Sequence, residues 1–215
     1  MEEEVIQLTV FQALSDILFD LNLSVFIGGL VVVCLLFLLF KRNKNIPKIS
    51  VTIGSLLLFY YVYLTFYNIV GIPSVGEMNR LAGFGESVVN PNIYLIPFGE
   101  GIELSFILNI VLFVPIGFLV SVISPSLRKW NRVAMLTLQM SLIIEISQIF
   151  TLARATDIND LIANTLGGIV GYLSYVLLSR MKWLKLPKGL AIEEDATKYL
   201  PLVVYLIAFI SVFLT

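Results

Sequence analysis

The feature that most narrows the folds open to this chain is a series of long apolar runs, each close to the roughly 20 residues that a bilayer requires. The first clear run covers 23–40, and others cover 49–70, 102–123, 133–152, 160–178 and 199–215. In lipid, backbone N–H and C=O groups must be satisfied within the segment, so runs of this kind fold as helices. The expectation is an all-α, polytopic transmembrane helix bundle of about six spans. Residues 1–22 read differently. Val5, Leu8, Phe11, Leu14, Ile17 and Leu18 fall at helical spacing with Asp16 and Asp20 nearby, the pattern of an amphipathic helix lying at the membrane surface. The chain then divides into this interfacial helix at 1–22, a first span with a basic link at 23–48, a membrane core at 49–180, and a link with the last span at 181–215.

Composition excludes several functions. Only 13% of the residues are charged and 58% are hydrophobic, whereas a soluble domain carries roughly 25% charged residues. A net charge of −1 offers no basic face for a nucleic acid. Histidine is absent, which removes the usual general base, zinc ligand and pH switch. The single cysteine, Cys34, can form no intrachain disulfide or cysteine metal cluster, and its setting among Val, Leu and Phe predicts a buried thiol. Three glutamates follow Met1. A cleavable signal peptide would want a basic start, so none is expected.

The basic residues orient the spans. Links 41–48, 124–132 and 180–198 hold twelve of the fourteen Lys and Arg, and links 71–101 and 153–159 hold only Arg80 and Arg154. By the positive-inside rule the first set is cytoplasmic, and the 71–101 loop, the Arg154 hairpin and the C-terminus lie outside.

One stretch concentrates polar groups inside this apolar chain. Thr137, Ser141, Glu145 and Gln148 share one helical face, and Asp157, Asp160, Asn164, Gly167 and Gly171 share another. The link Leu152-Ala-Arg-Ala-Thr156 is short enough to make the two helices an antiparallel hairpin with facing seams. At 1.5 Å per residue, Glu145 and Asn109 lie roughly 10 Å below the outer ends of their helices, and Asn164 roughly 6 Å. Arg154, Asp157, Asn159 and Asp160 lie just above. One polar pocket open to the outside accounts for all of them. The plainer reading is that Asn109 and Gln148 act as glue between helices, at about 1 kcal/mol each, and that Arg154 caps the hairpin by pairing with Asp157. For Glu145 that reading is weak, because an intramembrane carboxylate is expensive unless paired, protonated or wetted.

Other features have structural readings. Gly167, Gly168 and Gly171 suit close helix packing. Pro115 and Gly117 predict a kink that frees backbone carbonyls near the pocket. Pro97-Phe98-Gly99 reads as a turn or a lid. Tyr63 and Tyr67 read as part of an aromatic belt. Tyr60 and Tyr61 sit deeper, where each hydroxyl wants a partner.

The chain resembles the VanZ-like family of bacterial membrane proteins. The resemblance rests on Asn92-Ile-Tyr-Leu-Ile-Pro97-Phe98, Asn109-Ile-Val-Leu-Phe113-Val-Pro115-Ile-Gly117-Phe118, Glu145-Ile-Ser-Gln148, and the run from Arg154 through Asp157, Asp160, Asn164, Gly167 and Gly168 to Gly171. It covers roughly residues 49–178. The family is named for a protein of low-level teicoplanin resistance, which implies a role at the cell envelope. The resemblance also marks Asn109, Glu145, Gln148, Arg154, Asp157, Asp160 and Asn164 as the polar signature. Asn159 departs from a pattern that offers a further Asp there, which weakens a metal site.

Three functions remain open. The first is an envelope protein of the cell membrane whose outward pocket, built by those seven residues, binds a lipid headgroup or lipid-linked wall precursor and lowers susceptibility to lipoglycopeptides. Arg154 would meet a phosphate, and Asn109 and Asn164 sugar or amide groups. The second is a membrane enzyme acting on such a lipid. Glu145, Asp157 and Asp160 are its candidate catalytic residues, holding Mg²⁺ or, for Glu145, acting as general acid or base. The third is a transporter or flippase with Glu145 as proton carrier, against which stands the lack of repeated halves.

Overall fold

A computed structural model describes residues 22–87, 89, 92–99, 101, 103–151, 155–181 and 196–215. The interfacial helix expected at 1–22 falls almost wholly outside the described residues, as does Arg154. The described elements are α1 (Leu23–Arg42), α2 (Lys48–Thr65) with a π-helical turn at Phe66–Val70, α3 (Val75–Gly83), β1 (Ile93–Tyr94), α4 (Leu104–Ile123), a 3₁₀ turn at Pro125–Leu127, α5 (Trp130–Gln148), β2 (Thr156–Asp157), α6 (Ile158–Arg180) and α7 (Leu200–Phe213). The fold is an all-α bundle. Among the described residues its only sheet is the two-residue parallel pair of β1 and β2.

Local sequence accounts for the helix ends. Asn22 accepts the Leu23 N–H on its side chain to open α1, and Lys41 and Arg42 lie in the last turn, where cations complement the helix dipole. The π turn after α2 stops at Gly71, whose φ of 70° is a left-handed stop suited to glycine. Ser74 caps α3 by accepting the Glu77 N–H. Asp157 caps α6 by accepting the Asn159 N–H at 2.8 Å.

Among the described residues, four helical stretches are long and apolar enough to cross a membrane: Leu23–Arg42, Lys48–Gly83, Leu104–Ile123 and Ile158–Arg180. The expected spans at 133–152 and 199–215 form helices as well. The first of them, α5, carries a polar seam, and α7 is apolar but has 14 residues. The outer faces are apolar: Phe26, Leu30, Phe37, Ile107, Leu108, Leu173 and Leu177 are exposed, as suits helices solvated by lipid. Cys34 lies on such a face and is exposed. The expectation of a buried thiol fails because it turns outward between Val33 and Phe37, which are exposed too.

The core sits around α2 and α4, which pack on α1, α5, α6 and α7. Phe59, Tyr63, Phe66, Phe113, Ile116 and Val120 fill it. Tyr63 is fully buried, shares a 2.6 Å hydrogen bond with Ser24 and stacks on Tyr67. It is therefore a core residue, not part of an aromatic belt, because α1 covers the face it occupies. Tyr61 donates to the Leu112 carbonyl at 2.8 Å, one turn before Pro115. Tyr60 and Tyr61 line an apolar cavity of about 480 Å³ with Leu57, Val114 and Leu178, and neither lines the polar cavity described below.

The glycines set the spacing of α4 against α6. A Cβ on Gly167 would strike the Ile110 carbonyl, one on Gly171 the Val114 carbonyl, and one on Gly117 the Gly168 backbone. The two helices run parallel with their backbones in contact. Gly168 faces the other way, onto Thr137 of α5. The stripe expected from Asp157 to Gly171 is thus divided: its polar half faces α5, and Gly167 and Gly171 face α4.

Candidate functional site

Where α5 and α6 pack as an antiparallel hairpin, polar residues pair in order along the seam. Asn164 donates through Nδ2 to Ser141 Oγ at 2.9 Å. One turn further along α5, Glu145 Oε2 accepts the Asp157 N–H at 2.8 Å, and Thr156 Oγ1 donates to the Glu145 carbonyl at 2.8 Å. Glu145 is only 4% exposed, Gln148 6% and Asn164 3%. Glu145 therefore meets the backbone at the start of α6, where the helix dipole favours an anion. Asp157 and Asp160 lie close enough to interact with it electrostatically.

The loop before α4 closes over this end of the hairpin. Ile93 and Tyr94 pair in register with Thr156 and Asp157, and the Thr156 N–H donates to the Asn92 carbonyl at 2.8 Å. Asn159 Oδ1 accepts the Phe98 N–H at 2.9 Å. Phe98 has φ of 57°, a left-handed conformation uncommon outside glycine, and its ring packs edge-on against Phe106. The segment Pro97-Phe98-Gly99 is therefore a turn pinned to α6. Beneath it lies a cavity of about 650 Å³, lined on its polar side by Gln148, Asp157, Asn159, Asp160 and Glu103, and elsewhere by Tyr94, Leu95, Ile96 and Phe106.

Of the residues singled out in the sequence, Glu145, Gln148, Asp157, Asp160 and Asn164 come together. Asn109 is half-buried on α4, does not line the cavity and makes no hydrogen bond to their side chains. α4 turns its close-packed face to the glycines of α6, and this leaves Asn109 beside the seam. Sequence reasoning underrated Asn159 as a pin and did not identify Glu103, Ser105 or Phe106 as cavity lining.

The matching family model is described as VanZ/LLP1 and covers residues 30–179. The chain belongs to that family. The match takes in all of the seam and the cavity, and it extends the resemblance seen in the sequence into α1. Comparison with curated proteins and with solved structures gave no match.

Among the described residues no three His, Cys, Asp or Glu side chains come together as a metal-holding set. Glu145 Oε2 and Asp157 Oδ1 each already accept a backbone N–H. The trio Glu145, Asp157 and Asp160 is not such a set.

Proposed function

We propose that this membrane protein of the VanZ/LLP1 family binds an amphiphile of the cell envelope, a lipid headgroup or lipid-linked wall precursor, in the cavity between the α5–α6 hairpin and the 92–99 loop. One observation carries the reading: a cavity of about 650 Å³ joins acids and amides on one side to an apolar wall of Leu95, Ile96 and Phe106 on the other. A molecule with a polar head and a greasy body matches both walls.

The cavity faces the outside of the cell in this reading. The links at 92–99 and 155–157 share one end of the bundle through β1 and β2, and the C-terminal Thr215 lies against Gly76 at the start of α3. The other end gathers Arg128, Lys129, Arg132, Arg180 and Lys198, the basic residues that stay cytoplasmic. Arg154, on the link between α5 and β2, supplies a cation for a phosphate entering from outside.

Lipid retained by the detergent-purified protein, identified by mass spectrometry, tests the proposal. An envelope phospholipid or glycolipid should co-purify with the wild type and fall several-fold with Asp160→Ala. A susceptible Gram-positive host expressing the wild type should show a raised teicoplanin inhibitory concentration, and one expressing Asp160→Ala should not. Identical lipid profiles from the two proteins would sink the binding reading.

A further inference from the structure

Three buried oxygens beside the polar wall of the cavity share one deficiency. Glu145 Oε1, Gln148 Oε1 and Asn164 Oδ1 have no hydrogen-bond donor among the described residues. Their positions are related: Glu145 and Gln148 lie one turn apart on the same face of α5, and Asn164 is tied through its nitrogen to Ser141, one turn the other way. Three donors close by are already engaged. The Asp157 N–H goes to Glu145 Oε2, the Asn159 N–H to Asp157, and Asn164 Nδ2 to Ser141.

A buried acceptor without a donor is costly to keep. A proton on Glu145 would not resolve the shortage. It would turn one acceptor into a donor and serve a single neighbour, leaving a third oxygen open. A phosphate would worsen the shortage, because it brings acceptors and negative charge toward Asp157, Asp160 and Glu103, which line the same cavity. Gln148 lines it too and, through its place one turn from Glu145 on α5, is the member of the set nearest that space.

We infer that the α5 side of the cavity receives hydrogen-bond donors, the N–H or O–H groups of a headgroup, and that any phosphate of the same lipid stays away from it. The inference rests on the lipid-binding reading above and adds the chemistry of the head. An ammonium and a sugar hydroxyl both supply such donors, and a quaternary ammonium supplies none.

Native mass spectrometry of the full-length protein, released from micelles holding equimolar lipid pairs of matched acyl chains, tests it. Phosphatidylethanolamine against phosphatidylcholine compares a donating head with a donorless one of equal charge. Diglucosyl diacylglycerol against phosphatidylcholine does the same for hydroxyls. At least one donating lipid should be retained roughly tenfold over phosphatidylcholine, and the pair that shows it identifies ammonium or hydroxyl as the source. Gln148→Leu and, separately, Asn164→Leu should bring that preference close to parity. The thermal midpoint of Gln148→Leu should stay near that of the wild type, which separates loss of the site from loss of the fold. Equal retention of phosphatidylcholine and both donating lipids would overturn this inference and leave lipid binding standing. A preference that survives both substitutions would overturn it as well. Retention of no lipid at all would remove the binding reading together with it.

Discussion

At position 145 the two carboxylate oxygens have different fates: Oε2 accepts the Asp157 N–H, and Oε1 has no donor among the described residues. This asymmetry separates the functions left open by the sequence. Glu145→Gln keeps an oxygen for the Asp157 N–H and brings an amide that can donate. A binding protein should therefore keep part of its lipid retention, whereas an acid–base enzyme or proton carrier should lose its activity, which lipid turnover or vesicle proton uptake would report. A neighbouring amide has a different task. Asn159 holds the Phe98 N–H in a turn where φ is 57°. Removing the acceptor with Asn159→Ala should cost about 1 kcal/mol of local anchoring. Hydrogen exchange should quicken at the amides of 93–99, remain unchanged in α4 and α6, and return to the wild-type rate in Asn159→Asp, which retains an oxygen. Unchanged exchange at 93–99 in Asn159→Ala would show that the pin carries no weight.

Among the helices, the parallel pair α4 and α6 leaves the least room for change. Gly171→Leu would drive a side chain into the Val114 carbonyl and the Phe118 N–H, and should cost about 3 kcal/mol from overpacking. Gly83, at the end of α3, has open space where a Cβ would stand. Gly83→Ala should therefore leave the stability unchanged or raise it slightly, by up to about 1 kcal/mol of helix propensity. Thermal unfolding in detergent compares the two. Much of this level was legible in the sequence, because apolar runs and helical spacing report which faces are polar. Glu145, Asn164 and Ser141 fell on the seam for that reason. The division of α6 between two neighbours was not legible: Gly167 and Gly168 differ by one position, and only the placement of α4 and α5 decides which packs where. Tyr63 was misread for a similar reason, since depth along a helix does not say which neighbour covers it. The pairing of β1 with β2 had no periodic signal at all, being two residues on each side.

For the molecule as a whole, orientation is the property that decides whether the cavity meets the wall or the cytoplasm. In a Cys34→Ser background, Ile96→Cys should react with a membrane-impermeant maleimide on intact cells, and Lys129→Cys only after permeabilisation. The reverse pattern would turn the cavity inward and remove the envelope reading. Ile96 suits the experiment because it is 77% exposed. The contact between β1 and β2 also has a consequence for biogenesis. Residues 92–94 leave the ribosome before α4, α5 and α6 have been synthesised, yet their partners at 156–157 lie beyond α5. In the multi-span topology proposed above, the early segment waits at the membrane surface during insertion with Ile93, Tyr94 and Leu95 unpartnered until two more helices have threaded through. A nascent chain stalled before the α5–α6 hairpin emerges would have the helices already inserted but no enclosed chamber, so competence should arise late and in one step.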